Sequence, residues 1–62
     1  MMVSYAKQVG SFVQVFDENN RQLFSKAGEL VGFTSTTVSI KVSGYVQVFN
    51  EHGSQTTSYY VG

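Results

Sequence analysis

The sequence predicts an all-β fold: a small antiparallel sheet or sandwich built on a duplicated hairpin. Three observations carry this expectation. First, Phe12-Val13-Gln14-Val15-Phe16-Asp17-Glu18 recurs 33 positions later as Tyr45-Val46-Gln47-Val48-Phe49-Asn50-Glu51, and each copy runs straight into a polar turn. Over Phe12 to Gln22 against Tyr45 to Gln55, six of eleven positions are identical, and Val9 matches Val42 just upstream. Second, apolar and polar residues alternate at period two, which is strand spacing and excludes a long amphipathic helix. Third, turn-forming residues recur every eight to twelve positions.

Taken in order, strands are predicted near Val3–Val9, Ser11–Phe16, Arg21–Lys26, Glu29–Thr34, Thr36–Val42, Gly44–Phe49 and Ser54–Val61. Asp17-Glu18-Asn19-Asn20, Ala27-Gly28, Ser35-Thr36 and Asn50-Glu51-His52-Gly53 supply the turns, and Gly10 and Gly44 mark bends or bulges between long strands. Thr36 to Val42 alternates cleanly, with Val38, Ile40 and Val42 on one face and Thr37, Ser39 and Lys41 on the other, so this strand is half buried and half wet. The repeated strands differ. Val13 and Val15 share one face and Phe12 and Phe16 the other, as do Val46 and Val48 against Tyr45 and Phe49, so both faces call for burial. A chain of 62 residues cannot cover both faces of two strands alone, and one set of aromatics is expected under the neighbouring sheet or in a subunit interface.

Length sharpens that point. The 62 residues make a single domain, residues 1–62, and a domain this small buries only roughly 60% of its unfolded surface. There is no Cys for disulfides, no Cys/His cluster for a structural metal and no Pro to stiffen the unfolded chain. Oligomerisation is the remaining support. The run Thr56-Thr57-Ser58-Tyr59-Tyr60-Val61 is strongly β-prone and carries neither charge nor Pro, so it lacks the usual protection of an edge strand and is expected to pair with another chain. A heterologous contact of this kind closes into a ring or propagates as a filament, and closure is the expectation for a soluble protein.

Four basic and four acidic residues cancel, so no global field attracts nucleic acid or anionic lipid, and any electrostatic site has to be built by local placement or by symmetry. No basic n-region followed by an apolar h-region opens the chain, and no apolar run approaches the roughly 20 residues of a membrane span. A cytoplasmic protein without a membrane partner is expected.

The run Phe33-Thr34-Ser35-Thr36-Thr37-Val38-Ser39-Ile40-Lys41-Val42-Ser43-Gly44, with Gly28-Glu29 upstream and an ungapped continuation to Gly53, resembles the trp RNA-binding attenuation protein family. The resemblance covers about the C-terminal half. It implies an all-β protomer whose sheets pair between neighbours into a closed ring, with tryptophan between subunits and RNA wound around the outside. Among the family's RNA-facing residues, Lys41 matches; Ser43 stands where the family has Arg. Lys26-Ala27 leads directly into Gly28-Glu29, without the family's loop that supplies a further Lys and much of the ligand pocket. No tryptophan site and no cofactor are therefore expected.

Individual residues weigh as follows. Lys41 on a wet strand face, repeated around a ring, would form a belt matching a phosphate backbone, with Lys7 as reinforcement; the plain alternative is a solubilising lysine. Arg21 reads as a rim charge. His52, the one histidine, sits in a turn beside Glu51 without metal-ligand partners, so no metal is expected. Asp17, Glu18 and Glu51 read as turn residues, and no nucleophile elbow or phosphate loop occurs, so no enzyme is expected. Phe12, Phe16, Tyr45 and Phe49 read as core or interface, and Tyr59, Tyr60 and Val61 as the intersubunit seam. The sequence thus points to a non-enzymatic homo-oligomeric ring that binds RNA or single-stranded DNA through Lys41. The alternative is a structural or protein-interaction ring, for example a phage or mobile-element component, with no nucleic-acid role.

Overall fold

Alternation and turn chemistry produce seven strands in the computed structural model of the protein, which describes residues 2–62. They are β1 (Val3–Val9), β2 (Phe12–Asp17), β3 (Gln22–Ala27), β4 (Glu29–Phe33), β5 (Thr37–Val42), β6 (Tyr45–Asn50) and β7 (Gln55–Tyr60). Each lies within two residues of its predicted span. All neighbours pair antiparallel in two meanders, a three-stranded sheet β1-β2-β3 and a four-stranded sheet β4-β5-β6-β7.

The two sheets pack face to face. Val13 and Val15 from β2 and Val38 and Ile40 from β5 are all 0% exposed and form one cluster with Val3 and Phe49. Full burial of a side chain of this size contributes about 1.5–3 kcal/mol. β1 lies against β4. β3 reaches β6, where Phe24 and Phe49 meet at 6.3 Å between ring centres and the Lys26 amine stands 5.1 Å from the Phe49 ring centre. Three strands therefore cover three of the four opposite them, and β7 overhangs with every residue exposed.

Along the β1/β4 side the sandwich is closed by polar bonds. The Val3 amide donates to the Ser35 carbonyl at 2.8 Å. At the other end of β1, the Gln8 amide group donates to the carbonyls of Gly28 (2.9 Å), Gly10 (3.0 Å) and Phe12 (3.2 Å), while its oxygen accepts from the Leu30 amide at 2.7 Å. The chain crosses from one sheet to the other at the single residue Gly28. Its φ is +140°, and a Cβ there would stand 2.6 Å from Ile40 Cγ2 and 2.8 Å from the Lys41 carbonyl oxygen, so only glycine fits.

Register follows the sequence offset. Each β2–β3 pair, from Phe12 with Ala27 to Phe16 with Gln22, has its counterpart 33 residues on, from Tyr45 with Tyr60 to Phe49 with Gln55, and the bulge falls at the same place in both. The tight turns match too. Asp17 Oδ1 accepts from the Asn19 and Arg21 amides (both 2.8 Å), and Asn50 Oδ1 accepts from His52 (2.9 Å) and Ser54 (3.0 Å). Asn20 and Gly53 both take positive φ, 63° and 82°. The two segments nevertheless turn opposite faces to the core: β2 turns its valines inward, whereas β6 turns Phe49 inward, beside Val38, and pairs Val46, itself only 4% exposed, with Lys41 on the outer face.

The span predicted as Glu29–Thr34 ends one residue early because Thr34 leaves the ladder to build a turn. Its hydroxyl accepts from the Thr36 and Thr37 amides at 3.2 and 3.1 Å and bonds the Thr37 hydroxyl at 2.7 Å. Side-chain bonds of this type compete with strand pairing and terminate it.

Candidate assembly interface

Exposed large apolar side chains gather on the outer face of β1–β3, on β6–β7, and on β4, where Val31 and Phe33 are 56% and 43% exposed. On the outer face of β1–β3, Phe16 carries Tyr5 stacked on it, with 4.8 Å between centres and planes 13° apart, and the Lys7 amine 5.4 Å from its ring centre; Phe12, 52% exposed, extends the same face. On the overhang, Tyr45 and Tyr60 meet edge to face at 5.1 Å on the inner side of β6–β7, and Tyr60 is 68% exposed. Tyr59 and Val61 are also exposed. Large apolar residues collected on a small domain mark contact surfaces more often than solvent-facing ones.

Of the residues singled out in the sequence, Phe12 and Phe16 thus share one face, Tyr45 on β6 meets Tyr60 on β7, Tyr59 lies on the other face of β7 with Val61 just past its end, and Phe49, 6% exposed, belongs to the core between the sheets. β7 has one edge paired with β6 and the other free, and β3 likewise has a free edge beside it on the opposite sheet.

The two candidate cations part company. Lys41 lies on the outer face of the four-stranded sheet, opposite Glu29 on β4 and Val46 on β6. Lys7 lies on the outer face of the other sheet, over Phe16. Within one protomer they do not form a common patch. Lys41 does line an open cleft of about 610 Å³ at the crossing point, together with Gly10, Ser11, Gly28, Glu29 and Ser43. Arg21 is exposed at the start of the strand after the first turn.

His52 Nε2 stands 3.6 Å from Glu51 Oε1 on an exposed turn. Among the described residues no three His, Cys, Asp or Glu side chains gather in one place. No helix among them is long and apolar enough to cross a membrane.

Sequence reasoning missed Gln8. It reads as one polar residue in an alternating strand, yet it is the clasp that joins β1 to the crossing and to β4. The available signal was its counterpart at the 33-residue offset, Lys41: the duplicated segments differ in chemistry there, and an amide is what a four-way bond to backbone groups requires.

No family model matches the chain, and no curated protein and no solved structure matches it.

Proposed function

We propose that the chain is a non-enzymatic protomer of a closed homo-oligomeric ring, and that the ring serves a structural or protein-binding role. The observation that carries this reading is β7, a strand without charge or Pro, exposed along its whole length and free at one edge. Unpaired backbone groups on such an edge are a template for pairing with another chain. The size of the domain, the absence of Cys and the resemblance to the attenuation-protein family support the same reading. The matched registers and turns support an origin by doubling of a three-stranded unit.

A second reading, single-stranded nucleic acid bound along a belt of Lys41, is favoured by one observation: Lys41 lines an open cleft together with Gly10 and Ser11. Against it, Glu29 faces Lys41 across the ladder and Lys7 is on the other sheet, so cations are not concentrated. One phosphate contact per protomer is sparse for a binding site governed by charge.

Native mass spectrometry across protomer concentration tests the assembly. One closed stoichiometry is expected, and Val61→Lys, which puts a cation at the end of the edge strand, is expected to lower it. A folded monomer at micromolar concentration refutes the ring.

A further inference from the structure

Inside the protomer the sheets stack front to back, which follows from comparing positions 33 apart. The face that β2 turns inward holds Val13 and Val15, whose counterparts Val46 and Val48 lie on the outer face of the other sheet. The aromatic that β6 turns inward is Phe49, whose counterpart Phe16 lies on the outer face of the first sheet. The packed interface therefore joins a valine face to a phenylalanine face. The molecule keeps one further copy of each on opposite outer sides, where Val46 is 4% exposed and Val48 and Phe16 are half-buried in the single protomer.

We infer that a second copy of this chain docks on the outer face of β1–β2 with the outer face of its own β6–β7, repeating between molecules the sheet packing found within one. This deepens the ring reading and rests on it, naming a contact between faces in addition to any pairing of edges. The internal packing supplies the correspondence. Phe24 and Lys26 of β3 meet Phe49, at 6.3 and 5.1 Å, and their counterparts on β7 are Thr57 and Tyr59; Phe49 itself corresponds to Phe16. Thr57 and Tyr59 of one copy therefore come against Phe16 of the next.

Differences between the two faces suit a contact formed between separate molecules. Lys7 holds the position of the fully buried Ile40, and Tyr5 that of Val38. The Lys7 amine stands over the Phe16 ring and Tyr5 stacks on it, so a free protomer keeps that ring partly shielded from water. The second copy is favoured over an unrelated partner because both halves of the complementary pair are present on every molecule. Since they occupy opposite sides, the contact is heterologous and each copy joins two neighbours.

The absence of cysteine permits a direct test by oxidative cross-linking. Phe16→Cys and Thr57→Cys sit on opposite outer faces of the sandwich, so no link forms within one copy. Each single-cysteine variant, with its fold checked by circular dichroism, is expected to give cross-linked dimer only at background when oxidised alone. Their mixture is expected to give a mixed dimer as the dominant product. If Phe16→Cys fails to fold, Lys7→Cys, an exposed position on the same face, replaces it. Self-linking of either variant as strong as mixed linking overturns the front-to-back contact, as does absence of a mixed link while native mass spectrometry still records the oligomer. A monomeric wild-type chain would instead remove the ring reading itself, which separates the two failures.

Discussion

Gly28→Ala is expected to remove most of the protein's stability. At φ +140° an L-residue occupies a region nearly reserved for glycine, at a cost of about 1–3 kcal/mol. The added methyl meets Ile40 Cγ2 at 2.6 Å, the Lys41 carbonyl oxygen at 2.8 Å and Val42 Cγ2 at 2.8 Å. One of these is backbone and another belongs to a side chain with no exposure, so neither yields easily, and overpacking of this type costs a further 1–3 kcal/mol or so. At roughly 0.05–0.15 kcal/mol per residue, 62 residues hold about 3–9 kcal/mol in all. Urea unfolding followed by far-ultraviolet circular dichroism, at one fixed protomer concentration because the proposed assembly would be linked to stability, measures the loss. With a slope near the lower end for small proteins, about 1 kcal/mol per molar urea, the midpoint is expected to fall by about 2 M or more. Gly32→Ala is the control, since a Cβ there meets nothing within 4 Å. A Gly28→Ala midpoint within about 0.5 M of wild type, or a Gly32→Ala loss of equal size, refutes the argument that one residue sets the crossing.

Other consequences are testable with equally simple variants. Asp17, 2% exposed, satisfies two turn amides through one oxygen; Asp17→Ala is expected to cost about 1–3 kcal/mol in thermal or urea unfolding, whereas Asp17→Asn, which copies the Asn50 turn, is expected to lose less than half of that. Equal losses would mean that the charge rather than the acceptor geometry matters. For the nucleic-acid reading, fluorescence anisotropy with a labelled single strand across a salt series is decisive: a Lys41 belt gives log affinity falling by roughly 0.7 per phosphate contact for each decade of salt, and Lys41→Ala flattens the slope. Binding that is absent at low salt or indifferent to Lys41 excludes it.

Much of the architecture was legible from the chain because strands and tight turns are local. The alternation in Val38 to Val42 and the acceptor side chains at Asp17 and Asn50 report their own geometry, and the strand limits followed to within two residues. What a local pattern does not carry is which face of a doubly apolar strand is covered. Phe16 and Phe49 occupy identical settings in the repeated phrase, yet one is half-buried on an outer face and the other in the core, because that choice depends on how β4 leaves Gly28 and starts the second sheet. The same long-range fact hid Gln8, whose partners lie 20 and 22 positions away. It also separated Lys7 from Lys41. Thr34 and Thr37 read as strand formers, although their hydroxyls hold a turn.

The overhang of β7 bears on how readily copies would associate in the proposed ring. With no sheet above it, this strand is held mainly by its ladder to β6, so it is the segment that detaches at least expense to the core. Fixing the backbone of each residue costs about 1–2 kcal/mol at 25 °C, and a neighbouring molecule that docks on this strand has to supply whatever part of that ordering the isolated protomer leaves undone. The binding surface is then partly a product of the encounter. In the proposed assembly, affinity between copies would respond to temperature, to osmolytes and to any change that stiffens Gln55–Tyr60, and the six residues that offer the contact would also keep it reversible.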